Sequence, residues 1–295
     1  MPEERGRMLT GKRVFARMIS GDAARVAVSV YRVGRKKGDT SVGGIALDRE
    51  RFLSWKREKM AADIEQFTPL TIQAAFFIRR LDLADPLFVA QAIRHAVGGI
   101  LDGQPGVFPV PPNAPENVPR IVLRDKMGRY ECKVSTGRLD LAFDGSKKKA
   151  ASVGGVWDEF SGTLRQLAEY LRKKNPTRVW RLGLIVRLFK VLEGSANRHI
   201  REKYLKDDRF HDPHEIHLSV LDKEQMGPFR INRWLRLRPM RKRDDPADDR
   251  GLVVEIDVNT LAEEDNDFTE EEITHFFEEA YQHIALEDMR LVDAE

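Results

Sequence analysis

Three groups of side chains in this 295-residue chain have types and spacings that suit them to chemistry. The first is Phe229-Arg230-Ile231-Asn232-Arg233-Trp234-Leu235-Arg236-Leu237-Arg238, continued by Arg241-Lys242-Arg243. Alternate residues of a strand share a face, so Arg230, Asn232, Trp234, Arg236 and Arg238 form one row. Guanidinium groups hold phosphates and an indole is a platform for an unpaired base, the two things that single-stranded nucleic acid requires. The competing expectation is that this row is used up inside the protein, against an acidic C-terminal helix.

The second group is Asp125 with Glu131-Cys132-Lys133. A carboxylate on one strand followed by Glu-x-Lys on the next is a way to hold a divalent ion beside a lysine that orients water, the arrangement of many metal-dependent nucleases. The same spacing also arises simply because residues two apart on a strand can pair as charges. The third group is His211, His214 and His217, which suggests zinc by residue type. In a strand, however, His214 and His217 point to opposite faces, and Pro213 argues for a turn, so a solvated strand start is the simpler expectation. No metal or cofactor is therefore expected. Phosphate-binding glycine loops, a Gly-x-Ser-x-Gly elbow and a dinucleotide fingerprint are all missing from the sequence, which argues against nucleotide hydrolysis and serine hydrolase chemistry. The balance favours a binding protein over an enzyme.

The chain is 41% hydrophobic and 33% charged, with one cysteine, Cys132, that has no partner for an internal disulfide. That usage fits a reducing cytoplasm, and the expected role of Cys132 is a small strand residue. No apolar run approaches the roughly 20 residues of a membrane span, and the first residues lack the apolar core of a signal peptide. The net charge of +3 hides a division: residues 244–295 carry 2 Lys/Arg against 19 Asp/Glu, whereas residues 1–67 carry 15 against 9. Either the acidic C-terminal part packs on basic residues, or the two parts meet different partners.

The elements that must position these groups are read from periodicity and punctuation. Residues 13–19 and 24–31 are strand-like, 35–37 is a basic turn, and Asp48 caps a helix that carries Leu53, Met60 and Ile64 on one side. Thr71–Ile78 is a strand, and Asp85-Pro86 starts a helix that Gly98-Gly99 ends. A proline-rich extended connection, 104–119, leads to a meander of strands at 120–123, 130–135 and 138–143. Trp157, Phe160, Leu164, Leu167 and Leu171 stripe a helix, with Asp158 and Glu159 in its first turn and Pro176 as its stop. Val179–Arg187 is too apolar for an edge strand. Strands follow at 214–221, 229–238 and 252–258. Thr269 and Glu272 then form a capping box for a last helix striped by Ile273, Phe276, Phe277, Ala280 and Ile284.

The order of the first elements and the phrase Gly43-Gly44-Ile45-Ala46-Leu47-Asp48 resemble the positive-cofactor family of transcriptional coactivators. The matching positions are Val28–Tyr31 for a strand, Arg35, Lys36 and Lys37 for a basic loop, Gly44–Leu47 for the last strand, and Phe52 with Lys56 for the helix. The resemblance implies a curved antiparallel sheet with one helix that dimerises and binds single-stranded DNA. Residues 68–290 are similar to a sporadic family of uncharacterised bacterial proteins found in mobile or phage-defence neighbourhoods, through the 130–143 hairpins, Trp157-x-x-Phe160 and Arg181-Leu182-Gly183-Leu184. Together these features predict an α+β protein: a small antiparallel sheet-plus-helix module at 1–67, then a larger antiparallel sheet backed by helices at 68–295. The expected function is non-enzymatic binding of nucleic acid, mainly single-stranded, in a bacterial defence or regulatory setting. The alternatives are the metal-dependent nuclease and a protein-interaction subunit. A module of about 67 residues buries little apolar surface alone, so a protein partner or a second copy is expected as well.

Overall fold

Alternation of apolar and polar residues runs through most of the strands, and an antiparallel sheet with one apolar face satisfies it. The computed structural model describes residues 25–31, 66–111, 113–147, 152–174, 177–205, 215–241, 245 and 248–285. Among the described residues ten strands make one sheet: β1 (Arg25–Tyr31), β2 (Thr68–Ile78), β3 (Gly106–Val107), β4 (Ile121–Arg124), β5 (Tyr130–Val134), β6 (Arg138–Asp144), β7 (Val179–Val191), β8 (Glu215–Met226), β9 (Phe229–Met240) and β10 (Gly251–Thr260). Their order across the sheet is β1-β8-β9-β10-β7-β2-β6-β5-β4-β3. Each neighbouring pair is antiparallel. As its apolarity requires, β7 is interior, between β10 and β2.

β1 comes from the first 67 residues and is hydrogen-bonded along β8, with Arg25 opposite Leu221 and Tyr31 opposite Glu215. The expected strand at 13–19, the basic turn Arg35, Lys36 and Lys37, and the helix after Asp48 lie outside the described residues.

Helices α1 (Pro86–Ala96), α2 (Val153–Glu169), α3 (Ala196–Tyr204) and α4 (Glu270–His283) back the sheet. Strand register explains why they share one side. Leu237 is opposite both Leu218 and Val254, and Val254 is opposite Leu188. All four side chains are buried, and they join Ile93, Phe160, Ile200 and Phe276 from the helices in one core cluster. The protein is thus an α+β fold, an antiparallel sheet with its described helices on one face. No described helix is long and apolar enough to cross a membrane.

Local signals set most helix ends. The Asp85 carboxylate accepts from the Phe88 N–H at 2.9 Å, with Pro86 at the first helical position. Gly98 and Gly99 then stop α1 with φ of 61° and 78°, backbone that favours glycine. At α4 the capping box is complete: the Glu272 N–H donates to Thr269 Oγ1 at 3.1 Å and the Thr269 N–H to Glu272 Oε2 at 2.8 Å. α2 departs from expectation. It begins at Val153 on the N-cap Ser152, a turn earlier than the Trp157 stripe suggested, so Asp158 and Glu159 fall beyond its first turn. Gly154 and Gly155, poor helix formers, conceal that start. After Glu169 the chain continues through a π-helical turn, Tyr170–Lys174. α2 and α4 lie side by side, and Trp157 stacks on Tyr281 with centroids 4.2 Å apart and planes 3° from parallel.

The acidic C-terminal part packs on basic residues. Arg172 pairs with Asp267 at 2.9 Å, Lys173 with Glu270 at 2.8 Å, Arg178 with Asp265 at 2.7 Å and Arg165 with Glu278 at 3.1 Å. The excess of carboxylates read from the sequence is therefore partly matched by α2, the π-helical turn that follows it and the approach to β7.

Candidate functional site

Parity along β9 divides its side chains sharply. Ile231, Arg233, Leu235 and Leu237 are buried, whereas Arg230 and Arg238 are exposed and Asn232, Trp234 and Arg236 are half-buried. The acidic helix α4 takes the side of the buried set, where its Phe276 ring meets Phe229 edge-on at 5.4 Å. Its neighbour Phe277 lies 5.2 Å from Phe76 on the same side. The arginine row and α4 are thus on opposite faces of the sheet. No described helix lies over the row.

Carboxylates of the adjacent strand anchor the row instead. Glu255 of β10 is opposite Arg236 of β9 on one side and Arg187 of β7 on the other, and it is hydrogen-bonded to both guanidinium groups. Burial works to raise its pKa, but the hydrogen bonds and charges of Arg187 and then Arg236 outweigh this and hold the carboxyl below its usual range. Asp257 approaches Arg236 to 3.7 Å. Arg236 in turn sits over the Trp234 indole, with its guanidinium carbon 4.9 Å from the ring centroid. Arg230 pairs with Glu264 at 3.2 Å. Arg238 is exposed and has no ion-pair partner among the described residues. Arg241 lies just past the end of β9, and Lys242 and Arg243 lie outside the described residues.

A second cluster on this face was not anticipated. Phe77 of β2 is opposite Arg181 of β7, and the register slips between Phe77 and Ile78, leaving Trp180 as the extra residue of a bulge. A bulge turns an additional side chain onto a face that alternation would deny it. Trp180 accordingly meets the Phe77 ring at 5.9 Å. Arg138 of β6 and Arg181 lie over the Phe77 ring at 4.7 and 4.9 Å, and Arg79 lies over Trp180 at 5.0 Å. Arg181 donates to Asn259 Oδ1 at 2.7 Å and to the Thr260 carbonyl at 3.1 Å, and Asn232 Nδ2 donates to the same Asn259 oxygen at 3.3 Å. The scaffold strand β7 thus contributes two cations, Arg181 and Arg187, to the face that no described helix covers. The sequence signal was the spacing Arg181-x-x-x-x-x-Arg187, an even interval on one strand.

Asp125 and Glu131 belong to separate ion pairs. Asp125 is buried at a turn, where it accepts from the Tyr130 N–H at 2.8 Å and from Arg129 Nε at 3.2 Å. Glu131 lies opposite Arg124 across β4 and β5, taking Arg124 Nε at 2.7 Å and Lys133 Nζ at 2.6 Å. Burial would raise the Glu131 pKa, but its hydrogen bonds with Lys133 and Arg124 prevail and lower it. Among the described residues no three His, Cys, Asp or Glu side chains gather as a metal site. His217 pairs with Glu215 at 2.8 Å, and His211 and His214 lie outside the described residues. Cys132 is fully buried in β5, and burial pushes its thiol pKa up, as befits an inert packing residue.

Comparison with known proteins finds no matching family model, no matching curated protein and no matching solved structure.

Proposed function

We propose that the face of the sheet left uncovered by the described helices binds single-stranded nucleic acid, and that the protein acts as a binding protein rather than an enzyme. One observation carries this reading: β9 presents Arg230, Trp234, Arg236 and Arg238 in a row on a face that α1 to α4 leave uncovered. Exposed Arg230 and Arg238 at the two ends of the row supply phosphate contacts. Trp234, half-buried between them, supplies the surface on which a base stacks, and stacking tolerates any base because each has a π-face. Glu255 holds Arg236 in place so that less side-chain freedom is lost when a strand arrives.

The test is binding of a labelled single-stranded oligonucleotide, followed by fluorescence anisotropy over a series of salt concentrations. Affinity of the unaltered protein is expected to fall steeply with salt as condensed counterions are released. Arg230→Ala with Arg238→Ala is expected to weaken binding on every sequence and to flatten the log–log salt slope by about 1.4, at roughly 0.7 per lost single-strand phosphate contact. Unchanged affinity and slope in that double variant would overturn the proposal.

A further inference from the structure

We infer that the corner around Phe77 and Trp180 is a second contact point for the same nucleic-acid strand, so that the bound strand runs diagonally from β9 to β2. This rests on the reading of the β9 row given above, and it adds an occupant and a direction to it. The corner combines two aromatic surfaces with guanidinium groups in contact with them: Arg138 and Arg181 over Phe77, and Arg79 over Trp180. Arg80 follows Arg79 and is exposed, with φ of 59°, a left-handed backbone that non-glycine residues seldom adopt. The carboxylates that reach these arginines are Asp140, bound to Arg138 at 2.7 Å, and Asp265, 74% exposed and 3.5 Å from Arg79. Arg181 is satisfied by an amide oxygen and a carbonyl, so its charge is not cancelled by a hydrogen-bonded carboxylate. A polyanion that also presents flat rings complements this combination better than a simple anion, which has no use for Phe77 and Trp180, or an apolar ligand, which has none for the arginines.

The two loci are physically linked. Arg181, Asn259 and Asn232 share one hydrogen-bonded oxygen across β7, β10 and β9, and Asn232 is two residues from Trp234 on the same face. Trp234 is opposite Asp257, Asp257 opposite Ile185 and Ile185 opposite Gln73, so Phe77 lies three strands across and four residues along. With strands about 4.8 Å apart and a rise of about 3.4 Å per residue, the diagonal is about 20 Å. That is on the order of six nucleotides at the roughly 3.4 Å rise of a stacked strand.

The experiment is a length series of thymidine oligonucleotides, from dinucleotide to dodecanucleotide, measured by anisotropy on the full chain and on two variants. In the unaltered protein, affinity is expected to rise with length and to bend near the length that reaches both loci. Arg79→Ala with Arg80→Ala alters two exposed side chains, and it is expected to remove that gain for long oligonucleotides while leaving short ones unaffected. Trp180→Ala, with its fold checked by circular dichroism, is expected to weaken long oligonucleotides by roughly 5- to 150-fold, the range a lost stacking partner gives. A length profile that is the same in all three proteins, together with binding that still depends on Arg230 and Arg238, would overturn the second contact alone. Absence of binding to any oligonucleotide would overturn both readings.

Discussion

Arg233 and Arg236 stand three residues apart on the same strand and meet opposite fates. Arg233 points under the helices, where its side chain is 4% exposed and lies 2.8 Å from Glu224 and 3.4 Å from Asp222. His283, in the last turn of α4, also reaches Glu224, at 3.1 Å. Arg236 points the other way, 36% exposed, across an indole and beside a carboxylate that it shares with Arg187. One residue type is therefore buried on one face and left partly exposed on the other, and the two-residue period of the strand decides which. Desolvation makes the difference energetic. A buried charge that loses its partner has no water to replace it, while an accessible one does.

The largest expected effect breaks the comparison at its buried end. Arg233→Ala leaves Asp222 and Glu224, whose side chains are 23% and 20% exposed, without their shared cation beneath α4, and it is expected to cost about 1–3 kcal/mol, the scale of charge-assisted hydrogen bonds lost by partly buried carboxylates. Urea titration checks this; a loss below about 1 kcal/mol, as for a surface pair, would mean that the two faces do not differ in the way their burial implies. A smaller effect is expected from the element that covers the buried face. Thr269→Ala removes the cap of α4 and is expected to lower stability by roughly 0.5–2 kcal/mol, measured by the same titration, while single-strand affinity stays unchanged because α4 is on the far side of the sheet. A fall in affinity at full folding would contradict that separation.

How much of this was legible in the sequence follows from how local each signal is. The Thr269 capping box, the Asp85-Pro86 start and the alternation of β9 lie within a few residues, and each appears in the structure where the sequence placed it. α3 was missed because Ala196–Tyr204 has only Ala196 and Ile200 as buried apolar positions, too few to mark a stripe. Its N-cap, Ser195, accepts from the Arg198 N–H at 3.2 Å, a local signal too weak to mark a helix without a stripe, and its hydroxyl also donates to Asp249 at 2.7 Å. The buried role of Arg233 left one trace, an arginine in the register of Ile231, Leu235 and Leu237, which periodicity alone treats as an exception. The Phe77 corner left less, because β2, β6 and β7 assemble it from distant parts of the chain and a bulge breaks the alternation at Trp180. The face that the helices choose is a property of packing, so the sequence left open whether the arginine row was covered.

The smallest expected effect sharpens the comparison at its accessible end, through Glu255. This carboxylate stands between Arg187 and Arg236, so it both orients the two cations and opposes any phosphate that approaches them. Glu255→Gln keeps the shape and removes the charge. At neutral pH its stability cost is expected to be about 1 kcal/mol or less, the scale of a partly exposed ion pair. Single-strand affinity is expected to rise a few-fold as one negative charge leaves the face. Proton linkage fixes the pH dependence of the stability term. The Glu255 pKa in the folded protein is held below its ordinary 4.5, so its contribution is present above that value and is lost as pH falls through the lower folded value. The difference in stability between the unaltered protein and Glu255→Gln should therefore shrink only below about pH 4.5. Denaturant titrations at pH 7 and at a series of acidic pH values measure it. A difference that persists unchanged into acid, or an affinity that falls on substitution, would show that Glu255 is not the charged anchor of this face.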